Sequence, residues 1–217
     1  MNSNNHTFVI PIPTHKESLY LEECILSLKQ QTVKSKVLIT TPAPSDFIKG
    51  MATKYGVELL VNDTSSGVAS DWNFALSSVK TQYCTIAHQD ATYHPEYSER
   101  MLNAARKNED SQIVFCDYLD FIKETTAVWS PLLLIKRIIL LPFYIKNNWR
   151  ARFVKRSALT LGCSICNSSV LYNLKNLKDF KFCPQYEVCH EWQAWLKIAC
   201  EPGSFVLVPR QLVTNRI

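Results

Sequence analysis

The stretch that decides the fold is Cys84-Thr85-Ile86-Ala87-His88-Gln89-Asp90-Ala91-Thr92-Tyr93-His94-Pro95. Its first four residues favour a buried strand, and they lead directly into an imidazole, an amide and a carboxylate. Open α/β sheets bind ligands in a crevice at the carboxyl ends of their strands. Because side chains alternate along an extended chain, His88 and Asp90 can face the same crevice. The stretch therefore predicts a ligand site at a strand end, although Asp and Pro are also common in ordinary turns.

The sequence on either side alternates strand and helix patterns. Short apolar runs predict strands at 8–12, 37–40, 57–61, 83–87 and 113–116. Apolar residues at steps of three and four predict helices at 17–31, 46–55, 66–79 and 95–107, the last with Pro95 in its first turn. This alternation is typical of an α/β fold with a mostly parallel central sheet and helices on both faces.

The pattern changes after Phe121. Residues 131–156 are apolar, basic and prone to form helix, with a break at Pro142, and their apolar run is too short to span a bilayer. Residues 163–170 are predicted to be strand or loop, 187–199 a helix and 205–208 a closing strand. A chain of 217 residues fits one compact domain, here with an α/β half (1–121) and a second half (122–217).

Charge is distributed unevenly along the chain. The net charge is +5, yet the segment from Thr125 to Lys178 has no acidic residue and nine basic ones, which leaves 15 basic against 19 acidic residues elsewhere. A locally basic face predicts an anionic partner. Residues 130–156 are open to three interpretations: a contact with the membrane surface, a cover over an acceptor site, or ordinary packing on the sheet. No stacking platform or recognition motif accompanies the charge, so nucleic acid is not an expected partner.

The eight cysteines are expected to be reduced, because the polar N-terminal residues 1–7 lack the pattern of a secretory signal. Cys163 and Cys166, with Cys183, Cys189 and His190, offer a candidate zinc site. Five residues separate Cys183 from Cys189, which is the wrong spacing for such a site, and buried free thiols are favoured instead.

Several motifs, in this order along the chain, resemble those of the inverting family 2 glycosyltransferases, which have the GT-A fold. Residues 10–17, 21–28 and 31–32 are similar to the family's first strand, loop and helix, and the stretch from Asn62 and Gly67 to 73–76 resembles a family segment that ends in Asn-x-Ala-Leu. Asp90, five residues before Pro95, matches the second Asp of an Asp-x-Asp motif, and His88 stands in place of the first. Residues 190–197 resemble the Glu-Asp segment of the acceptor-side helix.

The resemblance implies transfer of a sugar, with inversion, from a nucleotide-sugar donor to a saccharide or lipid-linked acceptor, in surface polysaccharide synthesis. Residues 1–121 would be the nucleotide-sugar-binding half, and 122–217 the acceptor half with its basic helical segment 130–156. The protein would act in the cytoplasm, at the inner face of the membrane. The donor-binding residues implied by the motifs are Pro11, Thr14, His15, Glu17, Thr41, Asn62, Gly67, Asn73, His88, Gln89, Asp90 and Arg216.

The resemblance also implies a divalent metal, Mn²⁺ or Mg²⁺, which neutralises charge on the diphosphate leaving group. Asp90 would bind this metal, and direct coordination by His88 would favour Mn²⁺. Glu191 would be the catalytic base, unless it is a helix carboxylate paired with a basic neighbour. Trp192 and Trp195 would contact the acceptor, although a place in the core suits them equally well.

Two departures from the family pattern leave other functions open. The turn at residues 40–46 has no carboxylate at the strand end, where the family has the Asp that reads the nucleobase, and Trp72 stands where many members have an Arg. A catalytically inactive relative that binds a sugar nucleotide or a partner protein is therefore the second interpretation. A nucleotidyltransferase is disfavoured, because residues 11–17 contain no glycine for a phosphate-binding loop.

Overall fold

The structure, a computed structural model, describes residues 5–13, 18–64, 66–122, 125–127, 131–186 and 188–216. The strands are β1 (His6–Pro11), β2 (Lys36–Thr41), β3 (Glu58–Val61), β4 (Tyr83–Ile86), β5 (Ala91–Tyr93), β6 (Ser111–Ile122), β7 (Thr125–Ala127), β8 (Asn148–Trp149), β9 (Val170–Asn173) and β10 (Ser204–Arg216). The helices are α1 (Leu21–Lys29), α2 (Asp46–Tyr55), α3 (Val68–Ser77), α4 (Tyr97–Lys107), α5 (Pro131–Ile139), α6 (Leu141–Ile145), α7 (Arg152–Ser157) and α8 (His190–Cys200), with a short 3-10 helix at Asn167–Ser169.

The described strands pair into one ten-stranded sheet, in the order β3-β2-β1-β4-β9-β6-β10-β5, with β7 beside β6 and β8 beside β10. Parallel pairs join β1 to β2 and β4, β2 to β3, and β6 to β10. Because β9 is antiparallel to both β4 and β6, these two strands run the same way. The predicted α/β class with a mostly parallel sheet is confirmed.

Helices cover both faces of the sheet, and β1 shows why. Phe8 and Ile10 pack into a cluster with side chains of α1, α2 and α4, whereas Val9 packs into a second cluster with side chains of α3 and α8. Successive residues of a strand point to opposite faces, so a continuous apolar strand requires an apolar layer on each side. The two halves predicted from the sequence both contribute strands to this sheet, and their separate roles stay a prediction.

Local signals set the helix ends where they are strong. The bounds predicted for α2 match those observed, because the Ser45 hydroxyl accepts a hydrogen bond from the Ile48 amide (3.2 Å) and Gly56 ends the helix at φ +57°. The observed α1 begins at Leu21 rather than at 17, and residues 14–17 lie outside the described residues.

The segment from 131 to 157 differs from the single broken helix that was predicted. It forms α5, α6, β8 and α7 in succession. The first break is at Leu140, and Pro142 lies in the first turn of α6, where a missing amide hydrogen costs little. None of the helices in the described ranges is long and apolar enough to cross a membrane.

Strands β6 and β10 are much longer than predicted. The sequence predicted only the apolar centres, 113–116 and 205–208, whereas β6 continues to Ile122 and β10 to Arg216. The two strands pair with each other over this length, with register shifts between Val208 and Val213. Their polar ends form strand because each supplies the other's backbone hydrogen bonds. The short strands β5, β7 and β8 were not predicted, and the predicted strand or loop at 163–170 leads into β9.

A buried lysine binds the backbone just before the first residue of β10. The Lys155 ammonium donates to Gln112 Oε1 (2.9 Å) and to the carbonyls of Glu201 (2.8 Å) and Gly203 (2.9 Å). Burial lowers the pKa of Lys155 to about 8. Gly203 has φ +124°, and a Cβ there would lie 2.6 Å from Gln112 Cγ and 2.9 Å from the Asp110 carbonyl oxygen. The junction therefore requires glycine both for its backbone angle and for its space.

We predict that Gly203→Ala lowers the free energy of unfolding by about 2 kcal/mol or more, because the new methyl group meets backbone and the backbone angle is strained. Gly50→Ala is the matched control: Gly50 lies in α2 with nothing within 4 Å of its added Cβ, and we expect a gain of about 0.5–1 kcal/mol. Urea denaturation measures both. Equal stability of the two variants would contradict the described junction.

Candidate functional site

A cavity of about 160 Å³ lies at the carboxyl ends of β1 and β4, which are adjacent parallel strands. It is lined by Pro11, Pro13, Val68, Trp72, His88, Gln89 and Asp90. Four of these residues, Pro11, His88, Gln89 and Asp90, are among those that the sequence singled out. A larger cavity, of about 550 Å³, lies at the opposite ends of β6 and β10 and contains none of the predicted site residues. We refer to the smaller one as the strand-end cavity.

The turn after β4 is held from several sides. The Gln89 side-chain oxygen accepts from the Ser18 amide (3.0 Å), and the His88 carbonyl accepts from the Ala91 amide (3.0 Å) and the Cys24 thiol (3.3 Å). At the other end of the turn, the Asp90 carbonyl accepts from the amide of Arg216 at the end of β10 (3.3 Å). These contacts fix the backbone, and they leave the half-buried side chains of His88 and Asp90 at the cavity.

Two imidazoles flank the indole of Trp72. The His88 ring is stacked on it, with centroids 5.8 Å apart, and the His190 ring meets it at 72° and 6.1 Å. The sequence resemblance places an arginine at this position, whereas here the wall of the cavity is formed by aromatic contacts. His190 Nδ1 is buried and makes no hydrogen bond within the described part of the chain.

Asn167 fixes the ring of His88. Its Nδ2 lies 3.4 Å from His88 Nε2, and its Oδ1 accepts from the buried Tyr172 hydroxyl. An amide nitrogen only donates, so Nε2 of a neutral His88 is the acceptor and the ring proton is on Nδ1. The sequence did not single out Asn167, because it is 79 residues away and no spacing links it to His88.

Glu191 lies in the first turn of α8 and is half-buried. Burial raises the pKa of its carboxyl group, and the nearby His88, Lys136 and His190 lower it in part. None of the ion pairs found between described residues involves Glu191. A carboxylate of raised pKa within electrostatic range of the cavity is a suitable proton acceptor.

Lys136 of α5 is a second residue that the sequence did not assign to the site. Its ammonium donates to the Tyr118 hydroxyl (2.8 Å), and its positive charge lowers the pKa of Glu191. The sequence treated it only as one of nine basic residues. The one sequence feature that could have indicated its role is that Lys136 and Arg137 interrupt an apolar run. In the structure both side chains are half-buried and face the protein.

Arg216 reaches the site with its backbone, whereas its side chain turns to α1. The guanidinium forms an ion pair with Glu23 and lies 4.0 Å from the centroid of the Tyr20 ring. Any contact of this side chain with a donor stays a prediction.

Other predicted donor residues have structural partners. The Asn62 amide donates to Asp71 Oδ1 (2.9 Å), the Thr41 hydroxyl accepts from the Ala43 amide (3.3 Å), and Gly67 precedes α3 at φ +116°. Asn73 pairs through both its side-chain oxygen and its nitrogen with the backbone of Phe182 and anchors that loop, and its contact with a donor stays a prediction. Thr14, His15 and Glu17 lie outside the described residues.

The acceptor contact predicted for Trp195 is wrong. Its side chain is fully buried, and the indole N–H donates to the Ile165 carbonyl (3.0 Å), so no sugar can stack on the ring. Aromatic residues of the core and those that bind sugars have the same sequence pattern, and the packing of Trp195 shows that it is a core residue. Trp192 is half-buried, and its indole N–H donates to the Leu159 carbonyl (2.7 Å).

The family model described as "Glycosyl transferase family 2" matches residues 9–174. The chain belongs to this family. The match includes the strand-end cavity and ends before α8, so Glu191 and Arg216 lie beyond it.

Relatives of this family 2 chain are distant in sequence and close in fold. An uncharacterised glycosyltransferase of Rickettsia typhi is 23% identical over 199 residues, which are 87% of this chain and 57% of that protein. Residues 1–349 of S. aureus TarS have a TM-score of 0.73 at 13% identity, over 98% of this chain and 60% of that one. A TarS structure in complex with UDP-GlcNAc has a TM-score of 0.67 at 14% identity, over 98% and 58%.

The mannosyltransferase PcManGT from Pyrobaculum calidifontis, in complex with GDP-Man and Mn²⁺, has a TM-score of 0.65 at 16% identity, over 97% of this chain and 56% of that one. The chain therefore spans between half and two thirds of the length of these relatives. The likeness confirms the predicted GT-A-like fold.

The donor atoms at the cavity fit a divalent metal that is shared with a ligand. Within the described ranges, no group of three His, Cys, Asp or Glu residues could hold an ion, and the eight cysteines are free thiols. Asp90 supplies one carboxylate at the cavity wall. Mg²⁺-like ions commonly bind through one or two carboxylates together with substrate phosphates. A site of this kind suits Asp90, whereas the zinc arrangement considered for the cysteines has no support.

We predict that neutral His88 carries its proton on Nδ1, because Asn167 donates to Nε2. Long-range ¹H–¹⁵N correlation of the ring nitrogens distinguishes the tautomers. In Asn167→Ala the Nε2 atom loses this donor, and we expect the Nε2–H form to increase. Gln82→Ala, which removes an amide remote from the ring, is the control. The same tautomer in the Asn167 variant would contradict the contact.

Proposed function

We propose that this family 2 chain transfers a sugar, with inversion, from a nucleotide-sugar donor to a saccharide or lipid-linked acceptor. The observation that supports this most directly is the position of Asp90 at the strand-end cavity with the half-buried Glu191 within electrostatic range of the neighbouring His88. One carboxylate is available for the diphosphate side of a donor and another for the acceptor hydroxyl, which are the two charges that the reaction must manage.

The donor is proposed to be a nucleoside diphosphate hexose. The similar structures of TarS and PcManGT contain UDP-GlcNAc and GDP-Man, and both ligands have a diphosphate between nucleoside and sugar. Trp72 at the cavity and the absence of a carboxylate at the end of β2 suit a base recognition that differs from the family pattern. The wall formed by Trp72 and His88 offers a flat surface against which a ligand can pack.

Asp90 is proposed to hold a divalent metal, Mn²⁺ or Mg²⁺, jointly with the donor. Bound there, the metal would offset negative charge on the leaving diphosphate. The Gln89 contact with Ser18 and the Arg216 contact with the Asp90 carbonyl orient the turn that presents this carboxylate. His88 is proposed to contact the donor through its Nδ1 side, because Asn167 engages Nε2.

Glu191 is proposed to be the base. Its carboxylate accepts the proton of the acceptor hydroxyl as that oxygen attacks the anomeric carbon, and it is then neutral until the proton passes to water. Because burial raises its pKa, it accepts the proton more readily than an exposed glutamate would. His88, Lys136 and His190 counteract part of that rise.

The acceptor half is proposed to be residues 122–217, with the segment 130–156 approaching the cytoplasmic face of the membrane and the product belonging to a surface polysaccharide. A second function, that of a catalytically inactive sugar-nucleotide-binding relative, is favoured by one observation: an imidazole takes the place of the first carboxylate of the Asp-x-Asp motif. The two functions differ in whether the wild-type chain releases nucleoside diphosphate from a donor that it binds.

We predict that UDP or GDP raises the melting temperature by ~5 °C in the presence of Mn²⁺ and by much less without it. Asp90→Asn removes the metal-dependent part, because an amide is a poor ligand for a hard cation next to a diphosphate. Asp179→Asn, an exposed carboxylate at the larger cavity remote from the strand-end cavity, is the control and retains it. Absence of stabilisation by either nucleotide at millimolar concentration would overturn the donor site.

We predict that Glu191→Gln binds the donor as wild type does but releases nucleoside diphosphate at least ~100-fold more slowly, because the amide cannot accept a proton. Glu201→Gln, an exposed residue beyond α8, is the control. The wild-type rate falls as the pH drops through the pKa of Glu191, and since burial raises that pKa, the fall begins above the range of an ordinary glutamate. Full turnover by the glutamine variant would exclude Glu191 as the base.

A further inference from the structure

Helix α5 has its polar and apolar sides reversed relative to an ordinary surface helix. Leu133 and the following Leu140 are buried, and the half-buried Lys136 and Arg137 share the protein-facing side with them. Lys136 donates a hydrogen bond to the Tyr118 hydroxyl, and Arg137 interacts with the Tyr144 hydroxyl through its charge and a hydrogen bond. The solvent-facing side is apolar instead, with Leu132, Leu134, Ile135 and Ile138 between 47% and 61% exposed. Among the described residues, no side chain covers this outer aliphatic face, and such an exposed apolar face is typical of an interaction surface.

The apolar exposure continues beyond α5. Leu141 and Ile145 of α6 are 54% and 80% exposed, and Phe153 of α7 is 76% exposed between the exposed Arg152 and Arg156. We call these side chains the outward face. Its members are Leu132, Leu134, Ile135, Ile138, Leu141, Ile145 and Phe153.

The exposed charges of this segment itself have one sign, while two carboxylates from outside it, Asp110 and Asp117, bind Arg150 and the Tyr144 hydroxyl. Lys146, Arg150, Arg152 and Arg156 are exposed, and the sequence has no acidic residue from Thr125 to Lys178. Of these cations, Arg150 has an ion-pair partner, Asp110. Aliphatic and aromatic side chains interleaved with arginine and lysine are the composition that binds anionic membrane interfaces. A second copy of the same face would bring positive charge against positive charge, which opposes self-association through it.

We propose that the outward face docks on the surface of an anionic lipid bilayer. The helices α5 and α6 lie along the interface, with their aliphatic side chains at the boundary between headgroups and acyl chains, and the arginines of α7 contact lipid phosphates. The nine residues of α5 suit a helix that lies on the membrane.

This docking would relate the membrane directly to the site. The inner side of α5 contributes Lys136, which is within electrostatic range of Glu191, and its outer side would contact lipid. An α-helix with its side chains is only ~10 Å across, so the bilayer surface and the proposed base lie on the two sides of one helix. The acceptor is then a lipid-linked molecule, and this part of the inference rests on the proposed sugar transfer.

Co-sedimentation with vesicles tests the docking. We expect the full chain to bind vesicles of phosphatidylcholine and phosphatidylglycerol and to bind phosphatidylcholine alone at least ~tenfold more weakly. Ile135→Ser/Ile138→Ser weakens binding to the anionic vesicles by at least ~tenfold, because both side chains are exposed in solution and would be buried in the interface. Arg152→Ser/Arg156→Ser removes the preference for anionic vesicles. Leu26→Ser, an exposed aliphatic residue on α1, is the control and binds as wild type does.

Two results would overturn the docking: no binding of the full chain to anionic vesicles, or equal binding by the Ile135/Ile138 variant. Light scattering without lipid adds a third, since a wild-type dimer that becomes monomeric in that variant, with no vesicle binding, would assign the face to a second copy. Stabilisation by UDP or GDP is measured on the same proteins without vesicles. For the wild-type chain, nucleotide binding without vesicle binding rejects the docking alone, and vesicle binding without nucleotide binding rejects the donor site alone.

Discussion

The parallel pairing of β1 with β4 is the constraint on which the rest of the site depends. Because the two strands run the same way, Pro11 and the turn at His88–Asp90 meet at one edge of the sheet. Other contacts of the site are made to this edge: the Ser18 amide binds the Gln89 side chain, and the Arg216 amide binds the Asp90 carbonyl. Trp72 covers the turn from α3, and α8 brings Glu191 within electrostatic range of it. In a sheet where β4 ran the other way, the same residues would be separated by the length of a strand.

Two aromatic rings, those of His88 and Trp72, form a wall of the cavity at positions where the family pattern has charged side chains. The family pattern that the sequence resembles has a carboxylate at the position of His88 and an arginine at that of Trp72. The two new rings stack on each other, and Asn167 with Tyr172 then fixes the imidazole from its other side. The substitutions therefore form one connected network. A change at Trp72 alone would leave His88 without its stacking partner.

The sequence predicted well what short-range pattern controls. The apolar runs of β1 to β4, the bounds of α2 and the strand-end position of His88 and Asp90 all follow from residues close together in the chain. It predicted poorly what depends on distant partners. The polar ends of β6 and β10 are strands only because they pair with each other, and Asn167 and Lys136 reach the site from remote parts of the chain. Trp195 was misassigned because a buried indole and a sugar-stacking indole look alike in a sequence.

The buried Lys155, at the end of the sheet opposite the site, also couples folding to proton release. Its pKa is about 8 in the folded chain, whereas an exposed lysine has a pKa of 10.5. Between these two values the unfolded chain holds the proton that the folded chain has released, so unfolding consumes a proton. By linkage, the contribution of this group to stability increases as the pH rises through that window and is least favourable below it. Lys155 therefore favours the folded chain more at alkaline pH, and it does so at the end of the sheet opposite the strand-end cavity.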